Sequence, residues 1–349
     1  MSASSEPAKR EPVIDAITHR ETGRIPYMIL FQSGIARRAA DFFNTDSIET
    51  VVDNSIEWIG NSLAQSRLKE QGLLIEGEFT DEWGVRWKGV GETRGQVKSP
   101  PLSEPILEGY SFPEHPSPEI ISQMKAQAEN RPDRYRVSKL GALWEQATFL
   151  RGMEELLIDL ILHPGFVHEL LDGIVEVLLT NLEIYHRELD VDCIWLSDDY
   201  GSQFDLLMSP ELWREFIRPR LRCICDSVHS SGYHFALHSD GAITAIIPDI
   251  VDMGVDILNP VQSECVDVHW VKREFGNHLT IWGGYGSQGN LVFGTPVQIR
   301  REVNELCDEL GTAGGYILTP GLSIQNEVPV ENAVAFIETA IERERGSRV

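Results

Sequence analysis

The sequence predicts an α/β protein built as a (β/α)8 TIM barrel, because eight short apolar runs recur along the chain and helix-like segments separate most of them. Alternating strands and helices favour a parallel sheet, and eight repeats favour closure of that sheet into a barrel. Most runs end in glycine, polar or acidic residues, as expected at the functional face of a barrel. The runs are residues 25–30, 73–79, 135–140, 193–196, 234–237, 257–261, 279–282 and 316–318.

The segments around the first two runs predict additions to a plain barrel. Residues 1–12 have the composition of a flexible tail, and residues 13–24 are predicted to form a short helical extension, so that 13–349 make one domain. Residues 35–71 show helical spacing of apolar side chains. Residues 79–118 begin with a hairpin-like alternation and continue into a loop rich in Pro and Gly. This indicates a long insertion after the second strand, of the kind that often contacts substrate.

Two later helices have well-marked starts. Ser209 and Pro210 provide a cap and a first-turn proline, and apolar positions then continue through Val228 toward Gly232. Thr295 and Gln298 form a capping-box pattern before a helix that is expected to stop at Gly311. Both helices are predicted to pack on the outside of the sheet.

Composition limits the classes of function. The 349-residue chain has 30 Lys and Arg against 54 Asp and Glu, a net charge of −24 that disfavours nucleic acid and anionic membranes. The five cysteines are an odd number without a CxxC pair, which is typical of a reducing compartment. No apolar leader and no membrane-spanning run is present. We therefore expect a cytoplasmic protein that acts on a small molecule.

His238 and Asp240 follow the fifth predicted strand with a spacing of two. Residues two apart in a strand point to the same side, so an imidazole nitrogen and a carboxylate oxygen can meet at one metal ion. The competing interpretation is that Asp240 caps the next helix, while His238 is a hydrogen-bonded pocket residue.

Three further residues follow predicted strands and have chemically useful side chains. Asp198 and Asp199 are adjacent acids, suited to act as metal ligands, general bases or substrate contacts, although a capped, solvated turn explains the same pair. Cys265 can complete a metal site as a thiolate or act as a nucleophile. Free cysteines, however, are more often inert packing residues.

Several motifs together resemble the uroporphyrinogen decarboxylase superfamily. They are His-Ser-Asp-Gly at 238–241, Asp-Ile-Leu-Asn-Pro-Val-Gln at 256–262, Trp-Gly-Gly at 282–284 and Gly-Gly-Tyr-Ile-Leu-Thr-Pro-Gly at 314–321. Residues 198–201 and 209–213 fit the same pattern, and the resemblance extends over 13–345. It implies a (β/α)8 barrel with one of two activities, namely decarboxylation of uroporphyrinogen or zinc-dependent methyl transfer involving a corrinoid protein.

The resemblance favours the methyltransferase branch. The decarboxylases have Arg-Gln-Ala-Gly-Arg after the first strand, and those arginines bind substrate carboxylates; the matching residues 31–35 are Phe-Gln-Ser-Gly-Ile. Losing both guanidinium groups is severe for a highly anionic substrate. The decarboxylases also have a His after the last strand, where Leu322 stands here.

The resemblance also implies a zinc site of altered composition. The thiol-activating methyltransferases hold zinc with a His-x-Cys pair and a later Cys; here His238 is retained, but Asp240 and Leu322 stand at the two cysteine positions. A shift of one residue in the alignment would bring Ser323 to the last position, and a shift of three would bring Gln325 there. We expect the metal ligands to be His238, Asp240 and Cys265. Oxygen-rich ligands would make zinc a better Lewis acid toward oxygen, which indicates a methoxylated rather than a thiol substrate.

The sequence thus predicts a methyltransferase component that moves a methyl group between a small, methoxylated substrate and a corrinoid protein. Two alternatives stay open: a decarboxylase or lyase with a different substrate, and a non-catalytic ligand-binding barrel. The predicted catalytic residues are Asp198, Asp199 and Gln262. The predicted substrate-binding residues are Gln32, Glu78, Glu82, Trp83, Asn259 and Tyr285.

Overall fold

In the part of the chain that the structure describes, seven strands form a parallel sheet that organises the fold. The computed structural model describes residues 9–60, 77–90, 93–321 and 323–346. Six of the eight apolar runs are strands of this sheet, as their sequence predicts. In their order across the sheet, the strands are β1 (Ile56–Ile59), β5 (Tyr135–Gly141), β6 (Cys193–Ser197), β7 (His234–His238), β8 (Ile257–Asn259), β9 (Thr280–Tyr285) and β10 (Tyr316–Pro320).

The segment at 25–31 links the two edges of the sheet without being a regular strand. Its backbone makes two hydrogen bonds with Leu318 of β10. Met28 N donates to Leu318 O at 3.0 Å, and Leu318 N donates to Pro26 O at 2.9 Å. On the other side, Ser55 N donates to Tyr27 O at 3.1 Å, immediately before β1. These bonds hold the edges together and give the sheet its curled, barrel-like shape.

The prediction for the second strand was wrong. That position in the sheet is taken by β1, which pairs with β5 from Ile56↔Tyr135 to Ile59↔Ser138. The helix predicted over 35–71 includes Ile56 and Ile59, because their spacing of three also fits one face of a helix. The described helices there are only Ser33–Phe42 and Glu49–Val52. Most of the predicted run 73–79 lies outside the described residues, and its end belongs to a different sheet.

That second sheet is antiparallel, with three strands in the order β2 (Glu78–Thr80), β3 (Arg86–Val90) and β4 (Thr93–Ser99). Asp81 organises the turn between β2 and β3, because its carboxylate accepts from the backbone N–H groups of Trp83 and Val85 at 3.0 and 2.9 Å. Its other oxygen accepts from Trp87 Nε1 at 2.8 Å. The hairpin alternation in the sequence therefore corresponds to a real turn.

Helices cover the outside of the parallel sheet, and no helix among the described residues is both long and apolar enough to cross a membrane. The two well-marked helix starts are confirmed, with the Thr295–Gln298 capping box formed. A π-helical turn at Trp213–Ile217 interrupts the first of these helices, and a 3₁₀ turn is found at Thr244–Ile246. The α-helices are Arg10–Ile17, Ser33–Phe42, Glu49–Val52, Pro118–Asn130, Trp144–Arg151, Met153–Leu162, Pro164–Glu188, Pro210–Leu212, Arg218–Ser230, Ile247–Asp252, Val268–Phe275, Asn290–Phe293, Pro296–Leu310 and Val330–Glu344.

Side chains inside the curled sheet form a core separate from the one under the outer helices. Alternate residues of each strand point inward, as the pleat requires. The N-terminal helix Arg10–Ile17 adds Val13, Ala16 and Ile17 to this inner core, on the side of the strands' amino ends. The opposite, carboxyl end of the strands is thus left for polar side chains.

We predict that Asp81→Ala lowers the free energy of unfolding by about 2–3 kcal/mol, because it leaves two backbone N–H groups and the Trp87 indole without their acceptor. Urea denaturation monitored by tryptophan fluorescence measures this change. Glu104→Ala, at an exposed acid, serves as the control with an expected change within about 0.5 kcal/mol. Equal stability of the two variants would contradict the assigned role of Asp81.

Candidate metal centre

The register of three neighbouring strands brings the candidate site together. Ser197 of β6 lies beside His238 of β7, and His238 lies beside Asn259 of β8. Each is the last residue of its strand, so the loops that follow start at the same edge of the sheet. The loop residues Asp199 and Asp240 therefore project over the same mouth as the His238 ring.

Asp199, His238 and Asp240 form a cluster whose ligand atoms all lie within 4.8 Å of one another. His238 Nε2 is 3.6 Å from Asp199 Oδ1 and 3.9 Å from Asp240 Oδ2. Ligand atoms at about 2.0–2.2 Å from a tetrahedral zinc ion are roughly 3.3–3.6 Å apart, so this spacing suits one shared cation. The structure thus brings together His238 and Asp240, and it adds Asp199 to them in place of Cys265.

Burial and the neighbouring charges both affect the pKa of Asp240. Burial raises the pKa of Asp240, the negative charges of Asp199 and Glu264 raise it further, and His238 acts in the opposite direction. The backbone N–H of Asp240 donates to Asp199 Oδ1 at 2.9 Å and so holds the two loops together. A cation between the side chains would relieve the repulsion between the carboxylates.

Asp198 points away from the cluster, because adjacent residues of an extended chain face opposite sides. It is fully buried and accepts from the backbone N–H groups of Trp144 and Glu145 at 2.9 and 2.7 Å, at the start of the helix Trp144–Arg151. The Tyr200 hydroxyl donates to it at 2.7 Å. Burial raises the pKa of Asp198 to about 6, although these three hydrogen bonds lower it.

Gln262 and Cys265 lie on the loop after β8, beside the cluster. Gln262 Oε1 accepts from the backbone N–H of Gly241 at 2.9 Å, and its amide donates to Gln203 Oε1 at 3.4 Å. The Cys265 thiol donates to the same Gln203 oxygen at 3.5 Å. Burial and the Glu264 charge raise the pKa of this thiol, so it is protonated at neutral pH.

Two glycines fix the loops that hold the acidic ligands. A Cβ on Gly201 would lie 2.6 Å from Ala242 N, and one on Gly241 would lie 2.5 Å from Ser202 O. Gly241 also has a φ of +82°, a conformation that side-chain-bearing residues rarely adopt. The loop after β6 and the loop after β7 therefore pack backbone against backbone, directly beyond Asp199 and Asp240.

The remaining predicted substrate-binding residues are held by their own partners, apart from Asn259, which contacts His238. Gln32 Oε1 accepts from Asn326 N at 3.0 Å, and Tyr285 donates to Glu302 at 3.4 Å beside a cavity of about 450 Å³. Glu78 pairs with Lys98 and Arg86 in the antiparallel sheet.

In the turn between β2 and β3, Glu82 is exposed, while Trp83 is buried against Phe112. Leu322, which stands where the thiol-activating methyltransferases have their last zinc-binding cysteine, lies outside the described residues.

Sequence reasoning missed the aromatic support of the cluster. The Trp195 ring lies 5.0 Å from the His238 ring, and Lys139 Nζ lies 5.2 Å from the centre of the Trp195 ring. Trp58 packs edge-on against Trp195 and stacks on Trp282. The sequence could have indicated this contact, because Lys139 and Trp195 occupy inward positions in the alternation of their strands.

The family model for uroporphyrinogen decarboxylase (URO-D) matches residues 110–343. The chain belongs to the uroporphyrinogen decarboxylase family. This match includes every strand of the curled sheet except β1, and all three residues of the metal cluster. The resemblance that the sequence motifs indicate is thereby confirmed.

Relatives of the chain include both a methyltransferase and uroporphyrinogen decarboxylases. The chain is 30% identical over 151 residues to methylcobamide:CoM methyltransferase MtaA of Methanosarcina barkeri, a match that covers 43% of this chain and 41% of the relative. It therefore spans about two fifths of the length of that methyltransferase. It is 23% identical over 282 residues to uroporphyrinogen decarboxylase of Pseudomonas fluorescens, with 78% of this chain and 74% of that protein covered.

A solved structure extends the similarity of fold over almost the whole chain. A methyltransferase from Methanosarcina mazei superimposes with a TM-score of 0.68 over 97% of this chain and 99% of the other, at 21% identity. At this identity, the superposition establishes a shared fold.

Asp198 and Asp199 are expected to respond differently to removal of their carboxylates. Asp198→Ala leaves three buried donors unpaired and should lower the free energy of unfolding by roughly 2–4 kcal/mol. Asp199→Ala removes a side chain that is 40% exposed and should change stability by less than about 1 kcal/mol. Parallel urea titrations test this, and a larger loss for Asp199→Ala would contradict the assigned geometry.

The five thiols are expected to differ in reactivity. Cys223 is exposed and should react quickly with a disulfide reagent at pH 8, Cys265 should react slowly, and the others only after unfolding. Burial is the cause, because it raises the pKa of both Cys225 and Cys307 to about 12. Thiol titration of native protein and of Cys223→Ser measures the fast phase. Retention of that phase in Cys223→Ser would contradict this order.

Proposed function

We propose that this chain is the methyltransferase component of a corrinoid-dependent system, moving a methyl group between a small, methoxylated substrate and a corrinoid protein. The cluster of Asp199, His238 and Asp240 at the mouth of the curled sheet carries the proposal. Similarity to the Methanosarcina methyltransferase MtaA over 151 residues supports it. The chain would act as one barrel domain over 13–349. The segment at 25–31, between β10 and β1, would complete the barrel as its eighth strand.

The residues of the cluster fit a zinc ion. One imidazole and two carboxylates are ordinary zinc ligands, their spacing suits a single ion, and three protein ligands leave a position open. When bound, zinc would supply Lewis acidity toward an oxygen atom of the substrate. Because carboxylates are harder ligands than thiolates, this set favours an oxygen-bound methyl group over a thiol substrate.

The chain's own side chains would position the substrate and stabilise charge. His238 Nε2, Asp199 and Asp240 would hold the metal, and the ring of Trp195 packs against the ring of His238. The negative charge that develops on the leaving oxygen would be stabilised electrostatically, and such stabilisation commonly contributes most to catalysis. Gln262 and Cys265, on the adjacent loop, are proposed to contact substrate at the rim.

Decarboxylation remains the second candidate, because the decarboxylase relatives match a longer part of the chain than the methyltransferase does. In that case, Asp199 would work as a general acid or base without metal. Asp240, the other carboxylate of the cluster, would provide the paired acid, since burial raises its pKa. The two candidates differ in whether the cluster binds a metal.

We expect the untagged protein to be purified with close to one zinc ion per chain. The double variant, His238→Ala with Asp240→Ala, should lose this zinc. Elemental mass spectrometry measures this directly. Glu305→Ala, at an exposed acid on the helix Pro296–Leu310, is the control and should retain the metal. Protein that stays free of metal after zinc loading would favour the decarboxylase candidate.

Single-turnover transfer is the second arm of this test. Zinc-loaded protein should transfer methyl groups from methoxylated compounds to a reduced corrinoid protein, detected by the absorbance change of the corrinoid. The double variant should transfer methyl groups at least about 100-fold more slowly. Loss of a residue that supports a metal ligand typically lowers activity by about 10–100-fold, and loss of two ligands should lower it further. Transfer at an unchanged rate by the double variant would refute the proposal.

A further inference from the structure

Asn259 makes two hydrogen bonds that together determine the chemical state of His238. Its Oδ1 lies 2.7 Å from His238 Nδ1, and its Nδ2 donates to the backbone carbonyl of Trp282 at 2.9 Å. The His238 side chain is only 16% exposed, so water competes little for this contact. Asn259 therefore bridges the Trp282 carbonyl, which can only accept a hydrogen bond, and the His238 ring, whose nitrogens can donate or accept one.

The carbonyl of Trp282 fixes which way the amide of Asn259 points. A carbonyl oxygen only accepts, so the NH₂ group of Asn259 must face it. The amide oxygen then faces His238 Nδ1, and because that oxygen also only accepts, Nδ1 must carry a proton. In the neutral ring, this places the lone pair on Nε2, which is the nitrogen that faces Asp199 and Asp240.

Pro260 explains why the Trp282 carbonyl is available to Asn259. The ladder between β8 and β9 continues past Asn259, with Gly284 N donating to Pro260 O at 2.8 Å. The next backbone donor toward Trp282 O in a parallel ladder would be the N–H of residue 260, which proline lacks. The side-chain amide of Asn259 supplies the bond instead. The pair Asn259-Pro260 thus replaces one ladder bond with a side chain that also holds His238.

We infer that Asn259 is a positioning residue for the metal centre, which keeps His238 in the Nδ1–H tautomer with Nε2 free to bind the ion. The inference rests on the proposed function, in which His238 is a metal ligand. It assigns Asn259 to a hydrogen bond with the ligand rather than to contact with the substrate. Hydrogen bonds of this kind, to the second nitrogen of a ligand histidine, orient the ring and increase metal affinity.

The test is the tautomer of His238 in metal-free protein, from two-bond ¹⁵N–¹H correlation spectra of ¹⁵N-histidine-labelled samples. His238→Gln assigns the signal. The wild type should show a protonated Nδ1 and an unprotonated Nε2. Asn259→Ala should populate the Nε2–H form, and Asn259→Asp, which retains an acceptor, should keep the proton on Nδ1.

Zinc affinity provides a second readout, by competition with a chromophoric chelator. Asn259→Ala should weaken zinc binding by about 10–100-fold. The control is Asn332→Ala, since Asn332 is a buried asparagine whose side-chain amide donates to two backbone carbonyls, those of Leu291 and Gly294 at 3.1 and 3.0 Å. This variant should lose stability but keep both the His238 tautomer and the zinc affinity.

Failure of this inference is distinguishable from failure of the proposed function. A wild-type Nε2–H tautomer, or an unchanged tautomer in Asn259→Ala, overturns the role of Asn259 whether or not zinc binds. An affinity loss of equal size in Asn332→Ala also overturns it, because general loosening would then explain the effect. A tautomer change in Asn259→Ala together with no zinc binding by the wild type supports the role of Asn259 and refutes the metal centre.

Discussion

The register between β6, β7 and β8 is the constraint on which the site depends. Ser197, His238 and Asn259 lie side by side at the ends of their strands, and this alignment brings two acidic loops and one imidazole to a single point. A slip of one residue would turn each of these side chains to the other face of the sheet. The contacts at Gly201 and Gly241 extend the same constraint into the loops, where no side chain would fit between the two backbones.

The cluster is electrostatically costly on its own. Two carboxylates within 4.8 Å of each other repel by roughly 1–3 kcal/mol, depending on the effective dielectric constant. His238 does not offset this by hydrogen bonding, since its Nε2 lies 3.6 and 3.9 Å from the nearest carboxylate oxygens, beyond ordinary hydrogen-bond distance. A bound divalent cation would account for both the like charges and the distances, and the hydrogen bond between Nδ1 and Asn259 would leave Nε2 available for it.

The opposite end of the sheet is closed by apolar packing and ion pairs. The helix Arg10–Ile17 covers the inner core, and Lys9 before it contacts Asp53 and Glu344 at 3.3 and 2.7 Å. Since Lys9 and Glu344 are both largely buried, their pairing fixes the two ends of the described chain against the sheet. The cluster is thus at the open, polar end of a sheet whose other end is filled.

Six strands were predictable from the sequence because buried parallel strands are continuous apolar runs. The strand β1 was not, since the three-residue spacing of Ile56 and Ile59 also fits a helix. The spacing of two identified His238 and Asp240, but the adjacent acids Asp198 and Asp199 carried no sign of which one faces the mouth. The contact between Asn259 and His238 depends on the pairing of β7 with β8, which a single sequence does not specify.

The most direct measurement is X-ray anomalous scattering from crystals of the zinc-loaded protein, collected on both sides of the zinc absorption edge. The structure predicts one strong peak bonded to Nε2 of His238 and to carboxylate oxygens of Asp199 and Asp240, with Nδ1 of His238 still bonded to Asn259. A peak bound instead at Cys265, or no peak among these three side chains, would contradict the assignment of this cluster as the metal centre.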